Sequence, residues 1–198
     1  PLSSGNWHDD SPLPRVPSFG ELRFVSSGLI YRPENSTFIP DTSITVGGPI
    51  CKNPITLPMP FWGGAISFGA AGIEFLTAVA LASKRAGIPF NTGEGGLHPL
   101  LKKECDKIIV QYASGRFGVS ADYINSGSFI EIKLGQGAKP SKGGKLPAWK
   151  VSEEIARARY VKPWQELNSP APHDDISSVE DLRAMVRRLR QATGNEVV

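Results

Sequence analysis

The feature that most constrains this chain is where its glycines fall. From residue 60 onward, short apolar runs are each broken at their carboxyl end by a polar, glycine-rich segment. Residues 61–66 run into Ser67-Phe68-Gly69, and residues 89–92 into Gly93-Glu94-Gly95-Gly96. Residues 108–112 run into Ser114-Gly115-Arg116-Phe117-Gly118, and residues 129–134 into Gln136-Gly137-Ala138-Lys139-Pro140. A fifth such loop is Ser169-Pro170-Ala171-Pro172-His173. In parallel β/α folds the connections at the carboxyl ends of strands build the site. Any one of these loops is weak evidence, since glycine after a strand is commonly a turn requirement.

The segments between the loops fit that reading. Residues 73–85 form an apolar, alanine-rich helical stretch, read as a buried helix that Gly87 ends. Residues 129–134 alternate strictly, Ile130, Ile132 and Leu134 on one face and Phe129, Glu131 and Lys133 on the other. Asp122 to Ser126 is a short helix or turn. Ser152-Glu153-Glu154 opens a helix with acids in its first turn. In the last helix Ser177 and Glu180 form a capping box, Leu182, Met185, Val186 and Leu189 recur at helical spacing, and Gly194 is the stop. Strands alternating with helices imply parallel β/α units.

Residues 1–59 differ in texture. Ten of the 17 prolines lie in the first 60 residues, with β-like runs at residues 21–25 and 43–46, and the segment is read as an arm or cap. Glycine and proline make up about a fifth of the 198 residues, short of the roughly 25–30% that marks disorder. A net charge of +3 without a clustered basic stripe argues against a nucleic-acid partner. No apolar run approaches the ~18 residues of a membrane span. Cys51 and Cys105 are the two cysteines; they make neither a disulfide framework nor a four-thiolate metal site and are read as reduced thiols of a cytoplasmic protein.

Taken in order, GAISFGA, FNTGEGG, VQYASGRFGV, IKLGQGAKPSKGGKLPAWKV and SPAPHDDISSVEDL resemble the FMN-binding synthase domain of glutamate synthase. The lead-in FGELRFVSSGLIYRP is similar to that of the shorter, archaeal-type members. The resemblance implies an α/β fold of the (β/α)8 TIM-barrel type holding FMN at its strand-end face, residues 60–198 supplying about the first half of the barrel. It implies reduction of 2-iminoglutarate, formed from 2-oxoglutarate and ammonia, to L-glutamate. It also implies an electron-donor or glutaminase partner, and an iron–sulfur cluster in the full-length family that the cysteines of this chain do not ligate. A barrel needs roughly 250 residues, so the chain is expected to be one piece of a larger enzyme and to bind FMN weakly or not at all by itself.

Carried over residue by residue, the resemblance places Ile66, Ser67, Gly69, Thr92, Gly93, Gln111 and Lys133 at the flavin. It places Arg116, Gln136 and Lys139 at the substrate carboxylates, and Glu94 and Lys139 in the catalytic roles. No metal ligands are implied here. The chemistry fits: a dianionic keto acid needs fixed cations, and a lysine near N1 of reduced flavin stabilises its negative charge. Plainer readings stand beside these. Arg116 ties loops together, Glu131 and Lys133 form an interior ion pair, Glu94 accepts from neighbouring amides, and His173 is a hydrogen-bonded turn residue. The chain departs from the family pattern at Ile66, usually Met; at Ser141-Lys142, usually a glycine and an acid; and at Asp174, usually His. Those departures leave room for another amino donor or acceptor.

Overall fold

The computed structural model describes residues 37–136, 139, 142–194, 196 and 197. The run at residues 21–25 and the lead-in motif lie outside them. Asp41–Val198 is one compact unit; Pro1–Pro40 is another, of which residues 37–40 are described and exposed.

The centre is a parallel three-stranded sheet of β3 (Phe90–Asn91), β4 (Ile108–Ala113) and β5 (Phe129–Lys133), in the order β3-β4-β5. Phe90 pairs with Ile108, Gln111 with Glu131 and Ala113 with Lys133. In β4, covered on both sides, Ile108, Ile109, Val110, Gln111 and Ala113 are all buried, which is why its sequence reads as a continuous apolar run. The α/β class with parallel strands is as expected from the strand–helix alternation.

At the amino-terminal end of these strands sits a hairpin of β1 (Ile44–Val46) and β2 (Ile55–Leu57), antiparallel. Leu57, fully buried, packs on Ile109 and Phe129. The Lys107 ammonium donates to the Gly87 carbonyl at 3.0 Å and ties this end to the helix α1 (Ile73–Ala86). With one end of the sheet plugged, the carboxyl ends are left for the site.

Serine caps open the later helices. Ser120 accepts from Tyr123 N–H at the start of α3 (Ala121–Ser126), and Ser152 accepts from Ile155 N–H at α4 (Glu153–Arg159). A helix not expected from the pattern, α2 (Pro99–Glu104), has proline in its first turn and His98 Nδ1 accepting from Leu100 N–H. The short β6 (Lys145–Leu146) and β7 (Leu167–Asn168) pair antiparallel beside the sheet.

Three expectations need correction. Residues 61–66 form no strand, and residues 61–65 are exposed; a strand exists through its neighbours' hydrogen bonds, and this run makes no ladder with β3. Helix α1 is not buried all round: Leu76, Ala80 and Ser83 are, but Phe75 and Leu81 face outward. In α5 (Val179–Ala192) the cap is one residue later than expected. Ser178 Oγ accepts from Asp181 N–H at 3.1 Å, while the Asp181 carboxylate accepts from Ser177 N–H at 3.0 Å and Ser177 Oγ at 2.7 Å. Those bonds hold the Asp181 carboxyl down at about 2. Glu180 instead points toward Arg183, exposed.

Candidate functional site

An open cleft of about 1020 Å³ lies at the carboxyl ends of β4 and β5. One wall is Ile66 and Ser67, approaching the turn after β3, where Gly93 has φ +62°. A side chain on Gly93 would put Cβ 2.7 Å from Ser67 N, so glycine is required by both conformation and space. The opposite wall comes from β6 and the 3-10 turn Ala148–Lys150.

The floor carries the polar groups. Glu131 on β5 accepts from Asn91 Nδ2 at 3.1 Å and from Gln111 Nε2 at 2.6 Å. Two residues on, Lys133 reaches not Glu131 but Glu94, at 3.2 Å. The alternating pattern correctly put both on one face, but the ion pair between them is not what forms; the two amides satisfy Glu131 instead. Glu94 also accepts from Ser169 Oγ at 3.1 Å. Gly144 fits tightly against it: a Cβ there would lie 1.9 Å from Glu94 Oε1.

Arg159, the last residue of α4, reaches the cleft from beneath and is 4% exposed. Its Nη2 donates to the Phe68 carbonyl at 2.9 Å and to Ser67 Oγ at 3.3 Å. Burial lowers the guanidinium pKa, and the Glu94 charge pushes back. Lys139, Lys145 and Lys150 complete a wall that holds five cations against two carboxylates, Glu94 and Glu131. Among the described residues the buried side-chain polar atoms without a partner are Gln111 Oε1, Gln136 Oε1 and Arg159 Nε. All three belong to residues lining this cleft. Buried polar groups are normally paired, and these unmet atoms gather on residues of one cleft.

Of the residues singled out from the sequence, Ile66, Ser67, Gly93, Glu94, Gln111, Lys133, Gln136 and Lys139 line the cleft. Gly69, Thr92 and Arg116 do not. Gly69 packs against Leu146 and Ile155. Thr92 is buried, its hydroxyl 3.2 Å from the Tyr123 hydroxyl. The Arg116 guanidinium lies over the Tyr112 ring at 3.8 Å, with Ala113 O, His173 and Asp175 around it. Burial raises the pKa of both Tyr112 and Tyr123. Sequence reasoning missed Arg159. The available signal was its spacing: it shares the buried face of α4 with Ile155 and Ala156, an arginine on an apolar stripe. It also missed Ser169 as the partner of Glu94. Among the described residues no three His, Cys, Asp or Glu side chains gather as a metal site, and no helix is long and apolar enough to cross a membrane.

Parallel β/α units with a cation-rich, glycine-walled cleft at the strand ends define the class, an α/β protein. The family described as "Conserved region in glutamate synthase" matches residues 38–198. This chain belongs to the glutamate synthase family. It is 49% identical over 142 residues to the archaeal-type glutamate synthase [NADPH] of Thermotoga neapolitana, covering 72% of this chain and 28% of that one. It is 47% identical over 139 residues to the archaeal glutamate synthase [NADPH] of Methanocaldococcus jannaschii, covering 70% and 27%. It is 39% identical over 165 residues to the glutamate synthase [NADH] of Saccharomyces cerevisiae, covering 80% and 7%. The chain thus spans just over a quarter of the length of its archaeal-type relatives.

Proposed function

We propose that the cleft is part of an FMN and keto-acid site, and that the protein carrying it makes L-glutamate from 2-oxoglutarate and ammonia by reducing 2-iminoglutarate. The observation that carries this reading is the set of unpartnered buried atoms on Gln111, Gln136 and Arg159, three residues that line a cation-rich cleft. FMN fits that donor set. Its flat ring has an amide-like edge that needs an acceptor such as Gln111 Oε1 and cations beside it such as Lys133. The close-packed backbone at Ser67 and Gly93 offers a flat surface for the ring. When bound, FMN would supply two-electron reduction of the imine carbon.

The residues of this chain have their own work. Arg159, with five N–H donors and a free Nε, is suited to a carboxylate of the dianionic keto acid, and Lys139 to the other. Glu94, held by Lys133 and Ser169, is placed to accept or return a proton during imine formation. Glu131, fixed by two amides, holds Asn91 and Gln111 in place and leaves Gln111 Oε1 free. The paired α/β units support completion into a (β/α)8 barrel, since β3 and β5 each have one edge unpaired among the described residues. That would place residues 1–59 as a lead-in and 60–198 as the barrel's first half.

The test is glutamate formation by the full-length protein supplied with FMN, 2-oxoglutarate, ammonium and a chemical reductant. Nuclear magnetic resonance should show L-glutamate that requires all four. Reduction of a different oxo acid in preference to 2-oxoglutarate would redirect the assignment to a related substrate.

A further inference from the structure

Outside the cleft, four side chains form a second polar cluster whose purpose the functional reading leaves unassigned: Tyr112, Arg116, His173 and Asp175. We infer that His173 is the positioning residue for Lys133 and that Arg116 fixes its tautomer; the role of Lys133 itself rests on the reading of the cleft given above.

The His173 ring is buried, 5% exposed. Arg116 Nη1 lies 2.8 Å from His173 Nδ1. A guanidinium can only donate, so Nδ1 must be the acceptor and the ring proton must sit on Nε2. That Nε2–H points at the Lys133 carbonyl, 2.6 Å away, so one tautomer satisfies both bonds. Arg116 is fixed in turn. Its Nη1 donates to Ala113 O at 2.6 Å, its Nη2 pairs with Asp175 at 2.5 Å, and its guanidinium stacks on Tyr112. It keeps this place despite φ +53°, a conformation a side-chain-bearing residue seldom adopts.

Ala113 and Lys133 are register partners, the last pair of the β4–β5 ladder. Arg116 holds the carbonyl of the first, and His173 the carbonyl of the second. The loop of residues 169–176 therefore clamps the strand end from which the Lys133 side chain leaves for Glu94. A hydrogen bond at that carbonyl sets the direction of the chain where Lys133 begins, and so where its ammonium can reach. His173 touches neither cleft nor ligand; it acts through Lys133.

Two substitutions separate its two bonds. His173→Gln places an amide N–H where Nε2–H was and keeps the donor to Lys133 O. His173→Asn places an oxygen where Nδ1 was and keeps only the acceptor for Arg116. In the full chain, the rate at which acetic anhydride acylates Lys133, resolved by peptide mass spectrometry, reads its placement without flavin or turnover. The expected result is a rate about tenfold higher in His173→Asn and within twofold of wild type in His173→Gln, the loss of one hydrogen bond being worth about tenfold. Lys84, paired on the surface with Asp106, serves as the control whose rate stays constant. Asp175→Asn loosens the clamp from its exposed end without changing the buried ring and should raise the Lys133 rate severalfold. Equal rates in the Gln and Asn variants, or no change in Asp175→Asn, would overturn the assignment. In parallel, the FMN dissociation constant should rise about tenfold in His173→Asn only. A full-length wild-type protein that does not bind FMN would defeat the functional reading of the cleft, while the acylation rates would still decide the role of His173.

Discussion

Gly144→Ala is the most informative single substitution in the cleft. The added Cβ would stand 1.9 Å from Glu94 Oε1, where ordinary contact begins at 3.4 Å. Glu94 must therefore retreat by about the difference, which takes its carboxylate out of reach of Lys133 at 3.2 Å and Ser169 at 3.1 Å. Two charge-assisted bonds and a steric insertion together should cost about 2–4 kcal/mol of stability. Glu94→Ala alone removes the same two bonds without a clash and should cost about 1–2 kcal/mol. In the double variant the clash has no partner, so its cost should match that of Glu94→Ala alone. Urea unfolding followed by tryptophan fluorescence of the four proteins gives the coupling, expected to equal the whole cost of Gly144→Ala, about 2–4 kcal/mol. Additivity to within about 0.5 kcal/mol would show that the two loops do not meet as described, and with them the arrangement of Glu94, Lys133 and Ser169 would fall.

Further outcomes follow from the same geometry. Arg159→Met removes a buried guanidinium and should weaken 2-oxoglutarate binding by about 2 kcal/mol or more, measured by calorimetry on the FMN-loaded protein, with a folding cost of about 1–3 kcal/mol because the Phe68 carbonyl loses its donor. Leu57→Ala opens a void between the hairpin and the lower ends of β4 and β5 and should cost about 2–5 kcal/mol in urea unfolding while leaving ligand binding intact. For pH, the sign follows from Asp181. Its carboxyl is depressed to about 2 in the folded chain by the Ser177 bonds. The stabilising contribution is therefore present above the ordinary carboxyl range near 3.8 and is lost as pH falls through about 2. Ser177→Ala should move the Asp181 titration, followed by nuclear magnetic resonance, upward toward that ordinary value.

What could be read in advance was whatever local pattern decides. The two-residue period of β5 put Glu131 and Lys133 on one face, and both line the cleft. The apolar run at residues 108–112 marked a strand, and β4 forms there. Gly87, in the left-handed conformation, ends α1 where expected. The failures have one cause: a partner distant in sequence makes the decision. Residues 61–66 have strand composition, but a strand needs a neighbour. Lys133 had Glu131 two residues away, yet the loop at Gly144 brings Glu94 to it and the amides of Asn91 and Gln111 claim Glu131. Arg159 was missed because its partners, the Ser67 hydroxyl and the Phe68 carbonyl, lie 92 and 91 residues earlier in the chain. The capping serine of α5 was misplaced by one because Ser177 and Ser178 are equally good candidates by type, and the Asp181 side chain selects between them.

The central claim is that FMN and the keto acid share the cleft at the carboxyl ends of β4 and β5. The direct measurement is the visible spectrum of the full-length protein titrated with FMN and then with 2-oxoglutarate, in wild type and Lys133→Ala. The account predicts one FMN per chain, a shift of the flavin bands when the keto acid is added, and at least tenfold weaker FMN binding in the variant. Stoichiometric FMN binding that neither 2-oxoglutarate nor Lys133→Ala disturbs would place the flavin elsewhere and contradict it.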